Sequence, residues 1–184
     1  MSEKIILGID PGTNIMGYGL IRINKTNTEL VALGVLHLEK IDGHALKLKK
    51  IFEKTLSLID QYNPDELAIE APFFGKNIQS MLKLGRAQGV AMAAALYRTI
   101  PIFEYSPKKI KQSITGNGNA SKEQVAAMLQ TILKYKETSE YLDATDGLAV
   151  ALCHHFQKGK SEISGKSFSG WKSFLASNPK RVKS

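Results

Sequence analysis

The stretch KIILGIDPGTNIMGYGLIRI, residues 4–23, leaves the chain few options. A β-branched apolar run ends at Asp10, an Asp-Pro-Gly turn interrupts it, and GYGLIRI returns with the alternation of a strand. LVALGVLHL follows the polar turn NKTNTE as a third apolar run, so three strands in meander order are expected. The period then changes. HALKLKKIFEKTLSLIDQY sets Leu46, Ile51, Leu56 and Ile59 at roughly helical spacing and stops before Asn63-Pro64. ELAIEAPF reads as a short strand, NIQSMLKLGRAQGVAMAAALYRTI as a long helix rich in Ala and Gly, and IPIFEYS as another strand. PKKIKQSIT and SKEQVAAMLQTIL read as helices flanking GNGNA, with Ser121 and Gln124 at capping-box spacing. YLDATDGLAVALCHHF closes the series as a helix. The order β-β-β-α-β-α-β-α-α-α predicts an α/β fold in which helices flank one five-stranded sheet.

Charge divides the chain. Residues 158–184 hold seven Lys or Arg against the single acid Glu162, a charge of +6 out of the total +8. Residues 1–157 are therefore expected to form the folded domain, and residues 158–184 a basic, Ser/Gly-rich, flexible tail. A basic tail suggests a polyanionic partner, nucleic acid first. No apolar run approaches the ~18 residues of a membrane span, and KIILGI is too short for a signal-peptide core, which predicts a soluble, cytoplasmic protein. The only cysteine, Cys153, excludes an internal disulfide and sits in an apolar run as a buried thiol would.

The acids carry the chemistry. Asp10 ends the first strand and Glu70 the fourth, so both fall at strand carboxyl edges, where open α/β sheets bind ligands. Asp143 and Asp146, three apart on the last helix, share one face. Each has an ordinary reading: Asp before Pro-Gly is common turn chemistry, and acids suit a helix N-terminus. Glu70, inside an apolar strand, is harder to explain that way. Four carboxylates meeting at one point would repel unless a cation neutralised them, and an all-oxygen site suits Mg²⁺ or Mn²⁺. Two such ions can clamp a phosphodiester, which is hydrolytic nuclease chemistry. His154, eleven residues past Asp143, lies about 16 Å along the helix, too far to share an ion.

Taken together, LGIDPGTNIMGYGLI, LAIEAPFFGKNIQSMLKLGRAQGV, IFEYSPKKIKQSITGNGNASKEQV and DATDGLAVALCH resemble, in order and spacing over residues 4–157, the bacterial RuvC family of Holliday junction resolvases. The resemblance implies an RNase H-like fold, a homodimer, Mg²⁺-dependent symmetrical nicking of four-way junction DNA, and cooperation with the branch-migration proteins RuvA and RuvB. It maps the acidic site, with two Mg²⁺ ions per subunit, onto Asp10, Glu70, Asp143 and Asp146. It also matches Phe73, with Phe74 as the neighbouring candidate, to an aromatic that stacks on a base freed from the duplex, a contact open to any base. Lys111 and Lys122 match basic positions associated with phosphate contact or transition-state stabilisation. Gly116 and Gly118, before a helix start, suit backbone contact with phosphate. Aromatic burial and solvated helix faces are the plainer readings of these phenylalanines and lysines.

Three other functions compete. An RNase H-like nuclease for structured RNA such as rRNA precursors shares the Asp-Pro-Gly opening. Asp-x-Gly-Thr also suggests the first phosphate loop of actin-like ATPases, which need a second such domain that this chain lacks. A non-catalytic junction-binding module would bind without cutting.

Overall fold

In a computed structural model the structure describes residues 3–25, 27–72, 77–135 and 142–163, with side chains described as far as residue 157. Its elements are β1 (Lys4–Asp10), β2 (Ile15–Asn24), β3 (Asn27–His37), α1 (His44–Tyr62), β4 (Glu66–Glu70), α2 (Ile78–Tyr97), β5 (Ile102–Tyr105), α3 (Pro107–Thr115), α4 (Lys122–Leu133) and α5 (Leu142–Ile163). This is the order predicted from periodicity.

The local signals act where they stand. Asn63 adopts the left-handed conformation as the C-cap of α1, its N–H donating to the Ile59 carbonyl, and Pro64 prevents continuation. Ser106 caps α3 with Pro107 in the first turn, and Ser121 forms a reciprocal capping box with Gln124 at the start of α4. Three expectations shift. β3 begins at Asn27, so the polar segment before Leu30 is already strand, paired back as Asn24 opposite Asn27. Leu46 is exposed, because the turn of the helix puts it on the face opposite the buried positions of α1, Ile51, Thr55, Leu58 and Ile59. Helix α5 continues to Ile163, six residues into the segment expected to be tail.

The strands form one mixed sheet in the order β3-β2-β1-β4-β5. β1, β2 and β3 pair antiparallel, whereas β4 runs parallel to both β1 and β5. Alternation sorts the side chains into two cores. Leu7, Ile9, Leu67 and Ile69 meet α1 and α2 on one face, with Ile51, Leu58, Ala87 and Ala91. Ile6 and Ala68 meet α3, α4 and α5 on the other, with Ile110, Leu129, Leu148 and Leu152. Asp10 and Glu70 share the parity of Ile6 and Ala68, so both emerge on the α5 side.

Helix α5 lies unusually close to the sheet. A Cβ at Gly8 would stand 2.2 Å from the Gly147 carbonyl oxygen, one at Gly19 would stand 2.5 Å from Cα of Leu148, and one at Gly147 would stand 2.5 Å from Cα of Tyr18. Real Cβ atoms do not approach so near, so glycine on both sides is the condition for the contact. A buried polar chain fixes the far end of the same helix. His154 lies with Nε2 2.7 Å from Glu66 and Nδ1 2.6 Å from the Tyr105 hydroxyl, and Lys4 pairs with Glu66 at 2.6 Å. His154 thus faces Glu66 and Tyr105, in keeping with its exclusion from the acidic site. Cys153 is buried beside it as a thiol, as expected.

Candidate active site

β1 and β4 are adjacent and parallel, Ile9 opposite Ile69, so the next residues, Asp10 and Glu70, stand side by side at the carboxyl edge. The Asp10-Pro11-Gly12 turn leaves that edge at once. A Cβ on Gly12 would collide with the Ile15 carbonyl oxygen at 1.8 Å, so only glycine permits this tight return. Asp146 comes from α5 and reaches the same place because the glycine contacts hold that helix against β1 and β2. The three carboxyl groups share a cavity of about 220 Å³ with Pro107, Ile110, Lys111, Lys122, Val125 and Ala149. Asp10 and Glu70 also wall a second cavity of about 290 Å³, lined by Pro11, Gly12, Ala71, Pro72 and Leu84.

The acids are electrostatically strained. Burial, then the charge of Asp146, pushes the Asp10 carboxyl from the ordinary carboxylate range up to about 7, against a counter-pull from Lys122. Burial, then the charges of Asp10 and Asp146, pushes Glu70 up to about 8, against Lys111 and Lys122. Burial also raises Asp146, and a hydrogen bond from Lys122 partly offsets this. Such a cluster lacks positive charge.

Lys122 supplies part of it. As the first residue of α4, it extends into the cavity with Nζ 2.6 Å from Oδ1 of Asp143 and 2.7 Å from Oδ2 of Asp146. Burial would lower its pKa, but its hydrogen bonds to Asp143 and Asp146 outweigh that and raise it. Asp143 is the outermost of the four acids, its side chain 50% exposed against 29% for Asp146. Lys111 enters from α3 and lowers both Glu70 and Asp146 through its field. Among the described residues no three His, Cys, Asp or Glu side chains form a ready-made metal centre. The donor set nevertheless fits a hard divalent cation: carboxylate oxygens only, from three elements, with two protonation equilibria displaced upward for want of countercharge.

Gly116 and Gly118 stand elsewhere. Gly116 is the left-handed C-cap of α3, with φ 77°, its N–H donating to the Gln112 carbonyl, and its own carbonyl accepts from the Gln112 side chain. A Cβ on Gly118 would lie 2.7 Å from Cγ of Lys108. Both shape the turn that swings α4 round so that Lys122 points into the cavity. Phe73 and Phe74 lie outside the described residues.

Several contributors escaped the sequence reading. Gln88, 7% exposed within an Ala-rich stretch of α2, donates to the Glu104 carboxylate at 2.8 Å and to the Glu70 carbonyl at 3.4 Å, supporting the end of β4. A lone amide amid Ala87, Ala91, Ala94 and Ala95 is the signal that marks it. Gly8, Gly17, Gly19 and Gly147 carry no such mark individually.

Residues 6–154 match the family model described as "Crossover junction endodeoxyribonuclease RuvC". A protein of that name from Cytophaga hutchinsonii is 63% identical over 181 residues, spanning 98% of this chain and 89% of the relative. Another from Bacteroides fragilis is 62% identical over 185 residues, spanning 100% of this chain and 98% of the relative. Among solved structures, Thermus thermophilus RuvC in complex with Holliday junction substrate superposes with a TM-score of 0.79 at 29% identity, covering 86% of this chain and 96% of that one. The yeast mitochondrial Holliday junction resolvase Ydc2 shares the fold at TM-score 0.60 and 15% identity, covering 94% of this chain and 83% of that one.

Proposed function

The chain belongs to the RuvC family of crossover junction endodeoxyribonucleases, and from that premise we propose that it resolves four-way (Holliday) DNA junctions in recombination and repair by symmetrically paired, metal-dependent nicks. Its mixed sheet is the RNase H-like fold that the family resemblance implied. The observation that carries the reading is the meeting of Asp10, Glu70 and Asp146, from three elements, with Lys111 and Lys122 in one cavity.

Asp10, Glu70 and Asp146, with Asp143 at the rim, are the residues that would hold divalent cations, Mg²⁺ with Mn²⁺ as substitute, two ions per subunit. Bound there, the ions supply positive charge for the developing oxyanion and lower the pKa of a water. The protein's own groups do the rest. Strand ends β1 and β4 set Asp10 and Glu70 at fixed separation, and α5 brings Asp146 to them. Lys111 and Lys122 present ammonium groups to the phosphate, gripping it without reading sequence. Hydrolysis by water leaves 5′-phosphate and 3′-hydroxyl ends and needs no covalent enzyme intermediate. Phe73, with Phe74 beside it, is proposed to stack on an unpaired base at the crossover.

Paired nicks require two sites related by two-fold symmetry, hence a homodimer. The exposed side of α2 supports one. It shows Ile78, Leu82, Leu96 and Tyr97 to solvent, and a Cβ at Gly85 or Gly89 would meet nothing within 4 Å. Nothing among the described residues calls for glycine there, whereas a closely crossing helix would. RuvA and RuvB are proposed as the partners that deliver the junction. No helix among the described residues is long and apolar enough to cross a membrane, which suits a protein working on cytoplasmic DNA. The nuclease domain, expected over residues 1–157, is proposed to extend through α5, followed by the basic segment as a sequence-independent DNA grip.

The test is a synthetic four-way junction with and without Mg²⁺, using wild type, Asp10→Asn and Asp146→Asn. Wild type is expected to give paired nicks only with metal, and each variant to lose at least about a thousandfold in rate, several kcal/mol of barrier, while binding the junction as before. Metal-dependent cutting retained by both variants would refute the site. Preferential cutting of structured RNA would shift the substrate, and binding with no cutting would leave a junction-binding module.

A further inference from the structure

Lys122 occupies one oxygen of each of two carboxylates assigned above to the proposed metal site. Its Nζ is within 2.7 Å of both Asp143 Oδ1 and Asp146 Oδ2, and its side chain remains 35% exposed, so it has solvent beside it into which to swing. An ammonium held by Asp143 and Asp146 competes with a divalent cation for the same two carboxylates. Two like charges so close repel more strongly than the exposed lysine gains from its pairs.

We propose that Lys122 is a displaceable internal counter-ion, which holds Asp143 and Asp146 until a divalent cation takes them over and then turns its ammonium toward the substrate phosphate. The exchange balances charge at each stage. The carboxylates lose one positive charge and receive two, and the released ammonium finds its new partner in the polyanion that enters the same cleft. The backbone already allows this, because the capping box of Ser121 and Gln124 fixes the start of α4 and leaves only the flexible Lys122 side chain to move. Two consequences separate this role from a plain phosphate contact. The lysine weakens metal binding to the free protein, and it couples metal to junction, each tightening the other by the same factor.

This inference rests on the metal-site reading above, and the experiment keeps the two apart. Mn²⁺ binding to the full-length protein without DNA is measured by electron paramagnetic resonance for wild type, Lys122→Met, Lys122→Gln, Lys122→Arg and Asp146→Asn, with folding checked by circular dichroism. Removing the competing charge in Lys122→Met and Lys122→Gln is expected to tighten Mn²⁺ at least about tenfold. Lys122→Arg, which keeps the charge, stays near wild type. A non-cleavable junction then tightens Mn²⁺ binding by wild type and much less by the two neutral variants. Unchanged or weaker Mn²⁺ binding by the neutral variants would overturn the counter-ion role while leaving the metal site standing. Undiminished Mn²⁺ binding by Asp146→Asn would instead remove the site itself.

Discussion

Gly17 and Asp143 touch through their backbones: a Cβ on Gly17 would lie 2.2 Å from the Asp143 carbonyl oxygen, and Gly17 is also the residue opposite Asp10 in the β1–β2 register. One missing side chain thus sets how near α5 comes to the strand end bearing Asp10. Gly17→Ala is expected to push the start of α5 outward, costing about 1–3 kcal/mol of stability as an overpacked contact. A displacement of about 1 Å in a catalytic group can cost roughly 10²-fold in rate, so cleavage should fall far more than the melting temperature suggests. Thermal unfolding and junction cleavage on the same preparation check this, and normal cleavage by a folded Gly17→Ala would show that α5 does not depend on that contact.

The raised carboxyls give a pH dependence of stability. Asp10, up to about 7, and Glu70, up to about 8, bind protons more tightly in the native state than in the unfolded chain, where they titrate near 3.8 and 4.5. Stability conferred by these groups is therefore greatest below the unfolded values and declines as pH rises through the native ones. Asp10→Asn, which cannot ionise, should melt higher than wild type at pH 8 and nearly equal to it at pH 4. Mg²⁺ should raise the wild-type melting temperature more at pH 8 than at pH 5.5. Calorimetry in chelator and in Mg²⁺ tests both, and a variant less stable than wild type at pH 8 would contradict the strained cluster.

How much of this was legible beforehand depends on whether a signal is local. Asn63-Pro64, Ser106-Pro107 and Ser121–Gln124 end or start helices through their own backbone bonds, so these boundaries were readable. Asp10 and Glu70 followed from strand ends, and Asp143 with Asp146 from a spacing of three on a helix. The close seat of α5 was not readable, because Gly8, Gly17, Gly19 and Gly147 become informative only once the crossing of helix and strands is known. The pairing of Lys122 with Asp143 and Asp146 has the same character, since twenty-one residues separate Lys122 from Asp143 and the packing of α4 against α5 brings them together. Leu46 misled because steps of five residues do not stay on one helix face, and Leu46 lies opposite Ile51, Thr55, Leu58 and Ile59.

The proposed seam on α2 yields a substitution that separates folding from assembly. Gly89→Arg places a side chain where a Cβ meets nothing within 4 Å among the described residues, and replacing a mid-helix glycine gains roughly 1 kcal/mol of helix propensity. The isolated subunit should therefore remain folded. Its mass by light scattering at micromolar concentration is expected to be that of one chain, with nicks no longer paired within one junction. A variant that stays dimeric would move the interface off this face.

The last expectation concerns the basic segment. Since α5 continues to Ile163, a truncation at 157 would cut through a helix, and the cleaner deletion is residues 164–184. That stretch carries five Lys or Arg and no acid, so it can bind phosphates without selecting a sequence. Every phosphate that the segment no longer neutralises should flatten the dependence of log affinity on log salt by about 0.9 for duplex DNA, so the slope reports how many phosphates it engages. The deletion should therefore weaken junction binding at low salt, converge with wild type at high salt, and leave the rate on saturating junction unchanged, because the acids and both lysines of the cavity lie before it. Phe168, Trp171 and Phe174 recur every three residues in the same sequence, and a deletion that weakened binding equally at every salt concentration would assign the gain to these aromatics in place of the charges. Identical salt slopes and affinities would remove the segment from DNA binding, and a collapsed rate at saturation would make it part of the catalytic fold.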